Sequence, residues 1–231
     1  MRVLLEPGFI LHSRPYRESS VLLEALSRDH GRVGLVAKGA RGGRSRWKSL
    51  LQPFRPLLLS WTQRGELGTL TGADQVAAPP AMTGEPLFCA LYANELLVRF
   101  LQRSDPHADL FDHYRRMLAA LTGGQAPQPV LRLFEYQVLM AAGFGLQLEH
   151  ESATGQRIRA DAWYLYQPES GPVLREPQAE QGEELVSGAA LLALKSGEIG
   201  DQYLKELKFL MRKLIRYYLG DRTIKSQQLF S

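Results

Sequence analysis

Residues 19–39, SSVLLEALSRDHGRVGLVAKG, decide the fold. SSVLLEALS and GRVGLVAKG are short runs rich in aliphatic and β-branched residues, and SRDHG between them is a turn cluster, so they read as two strands. Upstream, GFILHSRP (8–15) reads as another strand. Downstream, RPLLLSWTQ (55–63) and ELGTLTGAD (66–74) flank Arg64-Gly65 and read as a hairpin. Five short strands with one long loop fit a small closed barrel better than a sandwich. Closure also removes the sheet edges that otherwise invite aggregation. The expected architecture is an OB-like barrel.

VAAPPAMTG (76–84) has no apolar period and marks a boundary, giving an expected barrel domain at 1–80 and a helical domain at 81–231. Beyond it the apolar period becomes helical. In EPLFCALYANELLVRFLQR (85–103), Leu87, Leu91, Val98 and Leu101 share a face. DPHADLFDHYRRMLAALTGG (105–124) reads as a second helix closed by paired glycines, and QPVLRLFEYQVLMAAGFG (128–145) as a third, opened by Pro129 and closed by Gly143. Residues 146–186 read as a small irregular insert, with a hairpin in RADAWYLYQPESGPVL (159–174) and an exposed acidic loop at 175–184. Helices return at SGAALLALKSG (187–197) and DQYLKELKFLMRKLIRYYLG (201–220). The fold class is therefore α+β, an OB-fold barrel followed by helices.

Apolar residues at 45% and charged residues at 23% are the balance of a globular chain, and no apolar run approaches the roughly 20 residues of a membrane span. The start reaches Glu6 and Pro7 at once and does not read as a signal peptide. A single cysteine, Cys89, excludes an internal disulfide and a cysteine-based zinc site; within PLFCALY it reads as a small buried hydrophobe. A cytoplasmic location is expected. The net charge of +4 conceals a pattern: residues 1–80 carry net +6, residues 81–202 net −7 and residues 203–231 net +5. Two basic blocks around an acidic middle suggest a polyanion touched in two places.

Motifs for catalysis are missing. There is no phosphate-binding Gly-rich loop ending in Lys-Ser/Thr, no Ser elbow and no paired-His zinc helix. KGAR (38–41) lacks the Asp of a nucleotidyl-transfer lysine motif, and the five histidines are scattered. Without a carboxylate cluster to hold metal, a nuclease or ligase is disfavoured. No catalytic residue, metal or cofactor is expected.

The loop KGARGGRSRWK (38–48) is instead a binding element. It holds Lys38, Arg41, Arg44, Arg46 and Lys48, three glycines, Trp47 and no acid. Cations bind phosphates whatever the base sequence, and aromatic rings stack on unpaired bases. Trp47 is either such a platform or a core residue of the barrel. A second basic surface follows from Lys205, Lys208, Arg212 and Arg216, whose spacings of three, four and four put them on one helix face. Arg222 and Lys225 extend it.

LHSRPYRESS, GRVGLVAKGARGGRSR and LLQPFRPLLLSW…RGELGTL, followed by LYANELLVRFL, DPHADLFDHYRRMLAAL, LRLFEYQVLMAAGFGL and LGDRTIKSQQLF, resemble in order the bacterial RecO recombination-mediator family. The resemblance covers nearly the whole chain and implies a non-enzymatic DNA repair protein, nucleoid-associated when bound to DNA. Such a protein binds single- and double-stranded DNA and anneals complementary strands. With RecR it helps load RecA onto DNA coated by single-strand-binding protein (SSB). The family also captures the acidic, phenylalanine-ending tail of SSB. Arg132 matches the family's arginine for that tail, with Leu131, Phe134 and Leu139 as its expected neighbours. Some members carry a four-cysteine zinc site after the helix matching 129–142; this chain has none, so its insert is expected to be held by packing alone. The alternative reading is an adaptor whose cations dock acidic partner tails without substantial DNA binding.

Overall fold

A computed structural model describes residues 1–42, 45, 47–78, 81–176, 184–220 and 222–226. The chain forms two compact units, Met1–Gly124 joined by Ser226, and Gln125–Lys225.

The first unit is built on a closed barrel of β1 (Arg2–Tyr16), β2 (Ser20–Ser27), β3 (Gly31–Ala37), β4 (Leu57–Gln63) and β5 (Leu67–Gln75), ordered β1-β2-β3-β5-β4. All neighbours are antiparallel except β3 and β5. β1 pairs with β4 along its first half and with β2 along its second, and Gly8 faces both Leu57 and Ser27. Serving two neighbours requires a bend, which bulges supply. Leu4 and Leu5 together oppose Ser60, and Leu11 drops out of the ladder with β2. Ile10, Leu23, Leu35, Leu57, Leu59 and Trp61 fill the interior.

Helices α2 (Gly84–Phe100) and α3 (Ala108–Thr122) lie in the same unit. The Leu11 carbonyl, released from the ladder by its bulge, accepts from Asn94 Nδ2 at 3.0 Å, and Tyr114 OH donates to Asn94 Oδ1 at 2.6 Å. Phe9 meets the rings of Phe111 and Tyr114 at 5.4 and 5.1 Å. A second tie runs from Glu24, which accepts from both Arg32 and Arg103, while Arg32 Nε donates to the Leu101 carbonyl at 3.0 Å. At the β2–β3 turn a Cβ on Gly31, whose φ is +65°, would stand 1.9 Å from the Asp105 carbonyl oxygen, so only glycine fits there. Cys89 is fully buried on α2, as a small hydrophobe would be.

The second unit holds α4 (Pro127–Ala141), α5 (Gly188–Ser196), the short 3-10 turn Asp201–Tyr203 and α6 (Leu204–Leu219). Its three-stranded sheet has the order β7 (Gly171–Arg175), β6 (Trp163–Gln167), β8 (Leu185–Ser187). The expected hairpin is β6–β7; β8 completes a sheet that the sequence does not announce. The insert is not held by packing alone. Glu151 accepts from the Thr154 hydroxyl and from the Leu174 amide at 3.3 Å, and Ser152 donates to the Pro172 carbonyl through both its amide and its hydroxyl. Most of the expected acidic loop, residues 177–183, lies outside the described residues. No helix among the described residues is long and apolar enough to cross a membrane.

Tyr114→Phe removes the donor to a fully buried Asn94 oxygen and costs about 1–3 kcal/mol of stability, read from the urea midpoint. Burial also raises the Tyr114 pKa far above the ordinary tyrosine range. Its stability contribution is therefore complete below pH about 10 and declines above it, where the unfolded chain ionises first. The Phe variant shows a shallower alkaline decline.

Candidate nucleic-acid interface

Topology puts the basic loop where it is. Because β3 pairs with β5 and β4 lies on the far side of β5, the chain leaving Ala37 must cross to Leu57 before it can resume a strand. Four apolar side chains anchor that crossing: Ala40, Leu51 and Phe54 are buried, and Trp47 is half-buried against the barrel core beside Val21. A short helix, α1 (Trp47–Leu50), spaces Trp47 and Leu51 one turn apart, with the Leu51 amide donating to the Trp47 carbonyl at 2.9 Å. The anchors face inward and leave Lys38, Arg41 and Lys48 exposed. Arg44 and Arg46, expected as further phosphate contacts, lie outside the described residues.

Arg41 is fixed twice. Its amide donates to the Ser19 carbonyl at 3.0 Å, and its Nη1 donates to the Arg17 and Glu18 carbonyls, both at 3.2 Å. These bonds involve neutral carbonyls, so the guanidinium keeps its positive charge facing outward. They also bring the β1–β2 turn to the loop. The Arg17 guanidinium carbon lies 5.2 Å from the centroid of the Tyr16 ring, and Arg14 and Arg17 are exposed. The sequence reading missed Arg14, Tyr16 and Arg17; the signal was present in SRPYRE, where cations and an aromatic alternate at the end of β1 and into its turn.

In the second unit, Lys205, Arg212 and Arg216 are exposed on α6 and Lys208 is half-buried. The opposite face buries Leu207, Leu210, Met211 and Leu214. Among the described residues none of the four cations forms an ion pair, so the stripe carries uncompensated charge. Phe209 stands among them at 41% exposure, an aromatic the sequence reading also missed.

Arg132 has a different environment. It is 4% exposed on α4, with Nη1 2.8 Å from Oε2 of Glu135, which is 0% exposed. The two groups form a buried ion pair, and Arg132 Nε has no hydrogen-bond acceptor. Leu131, Phe134 and Leu139 are packed into the interior beside it. Among the described residues no group of three or more His, Cys, Asp or Glu comes together.

Two family models match the chain: Recombination protein O N terminal over residues 1–79 and Recombination protein O C terminal over residues 83–228. Among curated proteins, the chain is 49% identical to a DNA repair protein RecO of Nitrosococcus oceani, over 99% of this chain and 93% of that one. It is 43% identical to the protein of that name from Methylococcus capsulatus, with the same coverage. It is 41% identical to one from Coxiella burnetii, over 99% and 98%.

Removing one partner of a buried ion pair strands the other's charge. Arg132→Ala is therefore expected to cost about 3–5 kcal/mol, while Arg132→Met with Glu135→Met recovers most of that loss. Chemical denaturation of the wild type, the single variant and the double variant checks this. Equal stability of the single and double variants contradicts it.

Proposed function

The chain belongs to the RecO family of DNA repair proteins, and on that premise we propose that it is a non-enzymatic recombination mediator. It binds single- and double-stranded DNA, anneals complementary strands and, with RecR, helps load RecA onto SSB-coated DNA. The observation that carries this reading is the positive charge of Lys38, Arg41 and Lys48 on an anchored loop, without an ion pair among the described residues and repeated along α6. Neutralising phosphates with such cations releases counterions and needs no base recognition. Two strands held this way repel each other less and meet at higher effective concentration, and base pairing then supplies the specificity. The barrel at 1–80 acts as the main grip and the helical part, 81–231, supplies the second.

The same reading docks the SSB tail on α4. Arg132, whose Nε lacks an acceptor, meets a carboxylate once Leu131, Phe134 and Leu139 make room for a ring. The Arg132→Met/Glu135→Met variant then loses binding of an acidic peptide ending in phenylalanine and keeps its affinity for naked DNA. Loss of both, in a variant with wild-type stability, removes the assignment.

The decisive experiment is fluorescence-anisotropy titration of a labelled single strand at several salt concentrations. Wild type shows a steep log–log salt dependence. Lys38→Ala/Lys48→Ala, which spares the anchoring Arg41, flattens the slope by about 1.4, at roughly 0.7 per lost contact. No binding by the wild type favours an adaptor that meets only acidic protein segments.

A further inference from the structure

Between the crossing loop and the barrel lies a cavity of about 310 Å³. That is the small end of ligand pockets, which run from roughly 300 to 1,000 Å³. Its lining is divided by chemistry. Leu23 of β2 and Ala40 and Leu51 of the loop are buried and apolar, with Val21 half-buried beside them. Trp47 contributes an aromatic side chain. Arg41 and Lys48, both exposed, bring two positive charges to the same opening.

We propose that this cavity seats one unpaired nucleobase of a bound single strand, with the base against Trp47 and the flanking phosphates on Arg41 and Lys48. The proposal rests on the DNA-binding reading of the loop and adds a base-binding site to what is otherwise a phosphate grip. An apolar, aromatic interior with its cations at the exposed rim, beside Ser13 and Gln52, matches the two halves of a nucleotide, a flat weakly polar ring and an anionic linkage. The seat is also preorganised. Arg41 is held by three carbonyls of the β1–β2 turn, and α1 fixes Trp47 and Leu51 on successive turns. The Gln52 side chain, through Nε2, donates to the Lys48 carbonyl at 2.7 Å and caps that turn. A paired and stacked base cannot enter, so the cavity favours single strands over duplex and releases its base when a complementary strand pairs with it.

Two labelled strands of equal length and charge separate the two readings: oligothymidylate, and the same backbone with abasic residues in place of every base. Wild type is expected to bind the base-bearing strand about five- to a hundredfold more tightly at fixed salt, the worth of a stacked base. Trp47→Leu, which keeps an apolar anchor on the barrel, loses most of that preference and retains the abasic affinity and its salt slope. A strand carrying 5-iododeoxyuridine, photolysed on the wild-type protein, crosslinks within residues 47–52, a measurement that needs no variant. Equal binding of both strands by wild type overturns the base seat and leaves the phosphate grip intact. A preference that survives in Trp47→Leu, or crosslinks confined elsewhere, overturns it as well. Failure to bind either strand overturns the DNA-binding reading underneath.

Discussion

The barrel closes through a single strand, and most of the first unit follows from that closure. β1 must present hydrogen-bonding groups to β4 and then, after a bend, to β2. Bending a strand takes residues out of register, and a backbone group that loses its ladder partner in the interior has to find another. Leu5 solves this at the surface, where its amide donates to the Ser60 hydroxyl at 3.0 Å. Leu11 solves it inside, through Asn94. One of the polar links between barrel and helices is thus the partner required by the bulge, and Tyr114 completes it.

The same closure shapes the basic loop. A parallel β3–β5 pair cannot be joined by a tight turn, so a long crossing between β3 and β4 is unavoidable. Such a segment costs order unless it is anchored, and Ala40, Trp47, Leu51 and Phe54 anchor it. Its remaining positions are free to be polar. Arginine serves opposite ends in the two units: Arg41 is fixed by neutral carbonyls and keeps its charge for solvent, whereas Arg132 turns its charge inward on Glu135. The first arrangement suits a polyanion that comes and goes. The second holds a charge in the interior that only another carboxylate at the same position can match.

How much of this is legible in the sequence depends on the range of the interaction. Most of the five strands and the helices from α2 onward are local patterns of period 2 and 3.6, and the runs at 8–36, 55–74, 85–145 and 187–220 announce them, whereas residues 2–7 of β1 and the four-residue α1 are not announced. The basic loop is equally plain, because charge needs no partner to be read. What escapes is long-range. Asn94 is an ordinary polar residue within a helical run until the Leu11 carbonyl is placed beside it, 83 positions away. The change from strand to helix near residue 80 says nothing about which helices pack on the barrel. β8 has three residues and becomes a strand only because β6 offers it an edge. The Arg132–Glu135 spacing fits any exposed helical pair, and only burial changes its meaning.

The two-sided pairing of β1 also carries a cost during synthesis. Residues 2–6 of β1 find partners only on β4, between Leu59 and Thr62. At about 5–20 residues per second, the ribosome takes about 2–9 s to extrude that partner after the first strand has emerged. Throughout that interval the amino-terminal strand, with Leu4 and Leu5 in its sequence, is an open template for pairing with another chain. A nascent chain that stalls before residue 59 holds that edge open indefinitely.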